Sequence, residues 1–219
     1  MKYREILIEQ LKILPYFNKG TIYQLSEQYK LKKGTVDSYI SRSLTRKELI
    51  QLKKGMYVTA DFFEKNKGDI AYTFYLANVL RQPSYVSSWT ALQYYNLATE
   101  AIYTITSVTL KVTRGYRGKA GNFMYHSIKK DLFSGFSLVH PVRNSESSNG
   151  VKGNFDFFIA SPSKALFDLI YFKTNQLRGV RFNQVGELLE GLRIDIDEMD
   201  KKEQKNFYAI IKNYIKHNG

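Results

Sequence analysis

The amino-acid sequence predicts an α+β protein built from two parts. Three helical segments and a short β-hairpin fill the first sixty residues, which is the element order of a winged helix-turn-helix. Apolar helices then alternate with segments rich in β-branched residues. Positive charge is denser in the first part, where residues 1–60 hold 12 Lys and Arg against 5 Asp and Glu. We therefore expect an N-terminal winged helix-turn-helix over residues 1–62 and a mixed α/β C-terminal domain over residues 69–219.

The first two helices are predicted from apolar residues that recur at helical spacing. Residues 3–14 carry such a stripe, and Pro15 with the turn at residues 18–20 ends it. Thr21 is expected to cap the second helix because its hydroxyl can accept a hydrogen bond from a backbone N–H of the first turn. The apolar positions of the two helices are Ile6, Leu7, Leu11 and Leu14, then Ile22, Leu25 and Tyr29.

A third helix and a hairpin complete the first part. Thr35 is the expected N-cap of the third helix, and Val36, Ile40 and Leu44 form its buried stripe. The segments ELIQL and GMYVT then form two strands joined by a Lys-Lys-Gly turn, whose glycine suits a positive φ. Residues 60–69 are expected to be a connector.

Helices and strands alternate in the second part. We expect helices over residues 69–80, from a cap near Ser88 to residue 95, from a cap at Ser161 or Ser163 to residue 173, over 183–193 and over 201–217. Strands are expected at 83–86, 103–113, 122–128, 135–142 and 155–161, and a polar loop at 143–154.

Composition narrows the class of protein. The formal net charge is +13 and the isoelectric point is about 9.6, which favours an acidic partner such as nucleic acid. The chain has no Cys, its three His lack metal-ligand spacing, and GYRGKAG is not a P-loop. The N-terminus lacks a signal-peptide core, and no apolar run is long enough to span a membrane. We expect a cytoplasmic protein without catalytic residues, metal or cofactor.

The third helix is predicted to face DNA with its polar side. When residues 35–46 are placed on a helical wheel, short hydroxyl residues and two arginines lie opposite the apolar stripe. Arginine can pair with guanine in the major groove, whereas lysines at the wing tip and before the helix reach phosphates. The predicted DNA-binding residues are Lys19, Thr21, Lys32, Lys33, Thr35, Ser38, Ser41, Arg42, Thr45, Arg46, Lys53 and Lys54. A solvated polar face is the alternative.

A second basic segment lies at residues 111–123. Lys111, Arg114, Arg117 and Lys119 alternate there with Tyr116 and Phe123. Basic residues interleaved with aromatic rings can track a phosphate backbone and stack on bases. The pattern predicts either a second contact patch or an ordinary basic hairpin.

The order of motifs resembles the AbiEi antitoxins of type IV toxin–antitoxin systems over residues 15–175. The shared features are the KKGMYV hairpin, the helix YVSSWTALQYYNL, the strand segment YTITSVTLKVTRGYRGK, and the helix FIASPSKALFDLIYF. Ser88, Ala91, Leu92 and Leu97 match the first helical motif of that family. The second motif is matched by Ser163, Lys164, Ala165, Leu166, Asp168 and Leu169.

The resemblance implies a transcriptional autorepressor whose winged helix binds inverted repeats in its own promoter. It also implies antagonism of a nucleotidyltransferase-type toxin, with direct contact between the two proteins left open. The alternatives are a lone winged-helix regulator, or an interaction protein whose basic surface binds RNA or an acidic protein. Asp168 and the motif serines are expected to serve the fold as caps and hydrogen-bond partners, not catalysis.

Overall fold

The computed structural model describes residues 3–98, 103–141 and 155–218. The chain divides into two compact units. Unit 1 comprises residues 1–73, 116–121 and 141–155, and unit 2 comprises residues 74–115, 122–140 and 156–219. The structure is mixed α and β, which confirms the predicted class. The polar loop predicted at residues 143–154 lies outside the described residues.

Within the described residues 3–73, unit 1 contains four helices, three strands and the start of a fifth helix. In chain order these are α1 (Tyr3–Leu11), β1 (Phe17–Asn18), α2 (Lys19–Glu27), α3 (Lys33–Thr45), β2 (Leu49–Lys53), β3 (Met56–Thr59), α4 (Ala60–Asn66) and α5 (Ile70–Leu80). The strands form an antiparallel sheet in the order β1-β3-β2. Gly55, at φ 79°, makes the predicted turn between β2 and β3.

One apolar core joins every element from α1 to β3. The residues that pack there are all at most 5% exposed: Leu11, Phe17, Ile22, Val36, Ile40, Leu49 and Tyr57. α3 contributes Val36 and Ile40 from its inner face, and Leu44 is half-buried against the same core. Because Val36 and Ile40 sit four apart, they fix the rotation of α3 about its own axis.

Four predicted boundaries in unit 1 were wrong. The first helix was expected to reach residue 14 but α1 ends at Leu11. Asn18, not Thr21, caps α2, because the Asn18 side chain already accepts from the Thr21 backbone N–H at 3.0 Å. α3 begins at Lys33, two residues before the predicted cap Thr35, without a side-chain cap. The predicted connector at 60–69 is instead largely α4, which Thr59 caps and which buries Phe62 and Phe63.

In the second part of the chain, the described residues form a six-stranded mixed sheet. Its strands are β4 (Ser84–Val86), β5 (Thr104–Thr109), β6 (Arg114–Gly118), β7 (Gly121–Ser127), β8 (Phe136–Val139) and β9 (Phe157–Ala160), in the order β6-β7-β5-β4-β9-β8. β4 pairs with β9 and β5 with β7 in parallel, and β8 is antiparallel to β9. The strand predicted at 103–113 ends at Thr109, and β6 is a separate strand.

The same part of the chain also forms α-helices. They are α6 (Ser88–Tyr94), α7 (Pro162–Lys173), α8 (Val185–Gly191) and α9 (Lys201–Asn218). α7 begins at the predicted cap Ser161, whose hydroxyl accepts from the Lys164 N–H, and Pro162 occupies its first turn. α7 is buried from Ser163 to Tyr171. No described helix combines the length and the apolar character needed to cross a bilayer.

A buried polar network links β4 to α7. The Lys164 ammonium lies 2.5 Å from Asp168 Oδ1, and both residues are at most 3% exposed. The hydroxyls of Ser87 and Tyr85 donate to Asp168 Oδ2 at 2.7 and 3.0 Å. Burial raises the pKa of the Asp168 carboxyl, and the Lys164 ammonium and both hydroxyls act in the opposite direction. These contacts support the expected structural role of Asp168.

Replacing Asp168 by Leu is expected to destabilise the protein by about 3–5 kcal/mol, because the Lys164 ammonium would stay buried without its carboxylate. Urea unfolding measures the change. The double variant Lys164→Met/Asp168→Leu removes both charges and should recover most of the stability. Equal destabilisation of the single and double variants would mean that packing, not charge, is what Asp168 contributes.

Candidate nucleic-acid interface

α3 presents its polar side to solvent, as its apolar spacing predicts. Val36 and Ile40 are buried, whereas Ser38, Arg42 and Thr45 on the opposite side are exposed. Ser41 and Arg46, which flank this row, are also exposed. The predicted outward set is therefore confirmed as a solvent-facing surface, apart from Thr35, which is half-buried.

The two arginines are the strongest donors on this face. Arg42 lies in the last turn of α3 and Arg46 is the residue that caps the C-terminal end of that helix. Because they are four positions apart, they project from the same side. Within the described residues neither forms an ion pair. An unpaired guanidinium with five N–H donors is suited to bidentate contacts with guanine or phosphate.

Two exposed hydroxyls of α3 donate their protons within the helix. Ser38 Oγ donates to the Gly34 carbonyl at 2.9 Å, and Thr45 Oγ1 donates to the Ser41 carbonyl at 3.1 Å. Such bonds from a side chain to the carbonyl four residues earlier are common in helices. The hydroxyl oxygens keep their lone pairs toward solvent and act as acceptors there.

An ion pair connects the beginnings of α2 and α3. Lys19 Nζ lies 2.9 Å from Asp37 Oδ1, and the Tyr23 hydroxyl donates to the same oxygen at 2.8 Å. The Lys19 and Tyr23 hydrogen bonds lower the pKa of the Asp37 carboxyl, and the bond from Lys19 raises the pKa of its own ammonium. Asp37 thus faces α2 and not the arginines. The sequence does not identify Tyr23 as a partner, since nothing in the local pattern couples residues 14 positions apart.

The other predicted contacts of α2 and α3 lie around this ion pair. Lys32 and Lys33 are exposed, and the Lys33 ammonium lies 5.7 Å from the centre of the Tyr23 ring. Thr21 is half-buried, and its hydroxyl lies 3.5 Å from Asn18 Oδ1. Contact of these residues with DNA stays a prediction.

The β2–β3 hairpin carries the two predicted tip lysines. Lys54 is exposed in the turn, and Lys53 is half-buried at the end of β2. Leu52 and Val58 are buried beneath them, as the predicted apolar side of the hairpin requires, and Met56 is half-buried. Glu48, at the base of the hairpin, accepts from Arg4 Nη1, so its carboxylate is paired with α1.

The second basic segment is only partly as predicted. Its four cations, Lys111, Arg114, Arg117 and Lys119, are all exposed on β6 and its flanks, but they are divided between the two units. Phe123 is 3% exposed, so it packs in the sheet and cannot stack on a base. The interleaved aromatic part of that prediction was wrong at Phe123.

Unit 1 also contains a cleft of about 290 Å³. It is lined by α1, by Glu48 and Thr59, and by the start of α4, and none of its lining residues belongs to the predicted DNA-binding set. Among the described residues no three His, Asp or Glu side chains are grouped so that they could hold a metal ion.

No protein-family model matches the chain, and no curated protein is significantly similar to it. The resemblance to AbiEi antitoxins therefore stays a prediction that rests on the motifs in the sequence.

Replacing Asp37 by Asn is expected to raise affinity for duplex DNA several-fold. The substitution removes a negative charge from unit 1 and releases Lys19 to contact phosphate. One added phosphate contact steepens the log–log dependence of affinity on salt by about 0.9. Fluorescence anisotropy at several salt concentrations measures both quantities.

Asp61→Asn is the matched control, because it removes one exposed carboxylate from α4, where Asp61 pairs with Lys65 at 2.9 Å. Weaker DNA binding by Asp37→Asn than by Asp61→Asn would contradict the prediction. It would mean that the ion pair serves to position α2 and α3.

Proposed function

We propose that the protein is a transcriptional regulator that binds duplex DNA through a winged helix-turn-helix formed by α1, α2, α3 and the β2–β3 hairpin. The observation that carries the proposal is the outer face of α3, where Arg42 and Arg46 stand without an ion-pair partner among the described residues, opposite a buried apolar stripe. α3 has 13 residues and is therefore about 20 Å long, enough to lie in a major groove.

The arrangement of charges in unit 1 supports the same function. Acidic residues near α3 are held by other groups, Asp37 by Lys19 and Tyr23, and Glu48 by Arg4. The exposed cations of α3 face solvent, where they can attract phosphate. In the proposed complex the α3 arginines read base edges, whereas the lysines of the hairpin tip contact the backbone from the wing.

The resemblance to AbiEi antitoxins extends this proposal. In its wider form the protein represses its own promoter at inverted repeats and counteracts a nucleotidyltransferase-type toxin in the cytoplasm. The α3 surface and the hairpin support the proposed regulatory role. The proposed antitoxin role is supported by the sequence motifs alone. A winged-helix regulator that is not part of a toxin–antitoxin pair would also prefer its promoter, but it would counteract no toxin. A protein that binds RNA or an acidic protein would share the basic surface and lack the promoter preference.

The purified chain is expected to bind its own upstream DNA in preference to scrambled duplex of equal length and composition. A gel-shift titration at physiological salt measures this, with each duplex and an RNA duplex as competitor. Equal competition by all three would contradict sequence-specific regulation. If the promoter is preferred, the proposed antitoxin role is tested next. The neighbouring gene is expressed in cells, and growth is measured with and without this protein.

Variants of α3 and of the hairpin should behave differently. Arg42→Ala is expected to reduce the preference for the promoter over scrambled duplex, since a bidentate base contact discriminates by about 1–3 kcal/mol. Lys53→Ala/Lys54→Ala should weaken binding to both duplexes alike and reduce the salt dependence. Gel-shift titrations with both duplexes measure the two effects. Promoter binding by Arg42→Ala that equals wild type would show that α3 is oriented differently on DNA.

A further inference from the structure

α9 carries a row of lysines that the proposed function does not use. Successive residues of a helix are rotated by about 100°, so four lysines of α9 fall within an arc of about 60°. With a rise of about 1.5 Å per residue, the row extends for about 22 Å along the helix. The α9 lysine row consists of Lys201, Lys205, Lys212 and Lys216, all exposed.

Packing of the opposite face fixes the direction in which the row points. Phe207 and Ile211 are fully buried, and Tyr214 is 8% exposed. The Tyr214 ring lies 5.8 Å from the ring of Phe167 and 5.6 Å from that of Tyr171, both on α7. The lysines are therefore presented by a helix that cannot rotate without exposing its apolar side.

The charge of the row is not neutralised within α9. Glu203, the acidic residue of this helix, lies on another side and accepts from the Ser163 N–H at 2.9 Å. Within the described part of the chain, the four ammonium groups form no ion pair. Like charges spaced four residues apart, as in Lys201 with Lys205, destabilise a helix by about 0.2–0.5 kcal/mol per pair. A polyanion bound along the row would remove that cost.

Four exposed acidic residues precede α9, namely Asp195, Asp197, Glu198 and Asp200, and two of them accept backbone hydrogen bonds. Asp195 accepts from the Asp197 N–H at 2.9 Å, and Asp200 accepts from the Lys202 N–H at 2.8 Å. This acidic segment lies at the N-terminal end of the helix, where negative charge suits the helix dipole. The field of the row is therefore strongest toward its C-terminal end.

The lysine side chains of the row favour the phosphate groups of a nucleic acid as a ligand. Lysine is a point charge that suits phosphate and does not read bases as an arginine fork does. Lysines also attract anionic lipid headgroups, and binding to a lipid surface is strengthened where several apolar side chains can insert. Beside the lysines, Ala209 is exposed but small and Tyr208 is half-buried. Phe182, whose ring centre lies 6.1 Å from that of Tyr208, is 42% exposed, and a single ring offers little area for insertion. The length of the row matches about six base-pair steps of a duplex.

We propose that the α9 lysine row is a second, sequence-independent surface that binds the phosphate backbone of double-stranded nucleic acid. It adds non-specific affinity through unit 2, whichever sequence unit 1 recognises. The proposal does not rest on α3, because a duplex that contains no operator would still bind the row.

The test uses the full chain and a random-sequence DNA duplex. Lys205→Gln/Lys212→Gln/Lys216→Gln is compared with Lys129→Gln/Lys130→Gln/Lys173→Gln, which gives the same net charge by removing three other exposed lysines that form no ion pair among the described residues. Fluorescence anisotropy over a series of salt concentrations gives the affinity and the log–log slope. The row variant is expected to bind at least about tenfold more weakly at low salt, and its slope should fall by about 0.9 for every phosphate that the variant no longer touches.

Two additional sets of variants separate the outcomes. Lys205→Arg/Lys212→Arg/Lys216→Arg keeps the charges and should keep the slope, and thermal unfolding checks that each variant is folded. The row substitutions are also combined with Arg42→Ala/Lys53→Ala/Lys54→Ala, which removes the proposed DNA contacts of unit 1. In this combination the row substitutions should still reduce the log–log slope of affinity against salt, so the test does not depend on promoter recognition. A row variant whose slope and affinity equal those of the control variant would overturn the proposal. Weaker binding to phosphatidylserine vesicles together with unchanged duplex binding would also overturn it.

Discussion

The rotation of α3 about its own axis is the constraint on which the candidate interface depends. Val36 and Ile40 enter a core that also receives side chains from α1, β1, α2, β2 and β3. Because six elements share this core, no neighbouring element can move without disturbing the packing beneath α3. The direction in which Arg42 points is therefore set by apolar residues that are themselves buried in the core.

Pairing of acidic side chains determines which cations face solvent in unit 1. Lys19 is engaged with Asp37 and Arg4 with Glu48, whereas Arg42 and Arg46 have no such partner among the described residues. The formal charge of a segment therefore does not say which of its lysines and arginines are available. In unit 2 the same reasoning separates Lys164, which is buried against Asp168, from the exposed lysines of α9.

Helical spacing was sufficient to predict which side of α3 is buried, and the Lys-Lys-Gly turn between two strand segments predicted the hairpin that follows it. Spacing could not reveal α4, since the adjacent pair Phe62-Phe63 has no helical period and its cap Thr59 also ends a strand. The two-residue strand β1 carries no pattern at all, because its partner β3 lies about forty positions later. Asp168 was expected to serve the fold, but its partners Tyr85 and Ser87 lie more than eighty positions earlier. Contacts over such distances depend on the topology of the sheet, which periodicity does not encode.

The hydroxyl bonds within α3 restrict the bases that the proposed complex can favour. Ser38 and Thr45 have their protons on carbonyls of their own helix, so toward the groove each can only accept. In the major groove the amino groups of adenine and cytosine are donors, whereas guanine and thymine offer acceptors at the corresponding positions. In the proposed complex such acceptors would suit adenine or cytosine, and Arg42 would suit guanine. Two hydrogen bonds within α3 would thus influence which bases the proposed complex prefers.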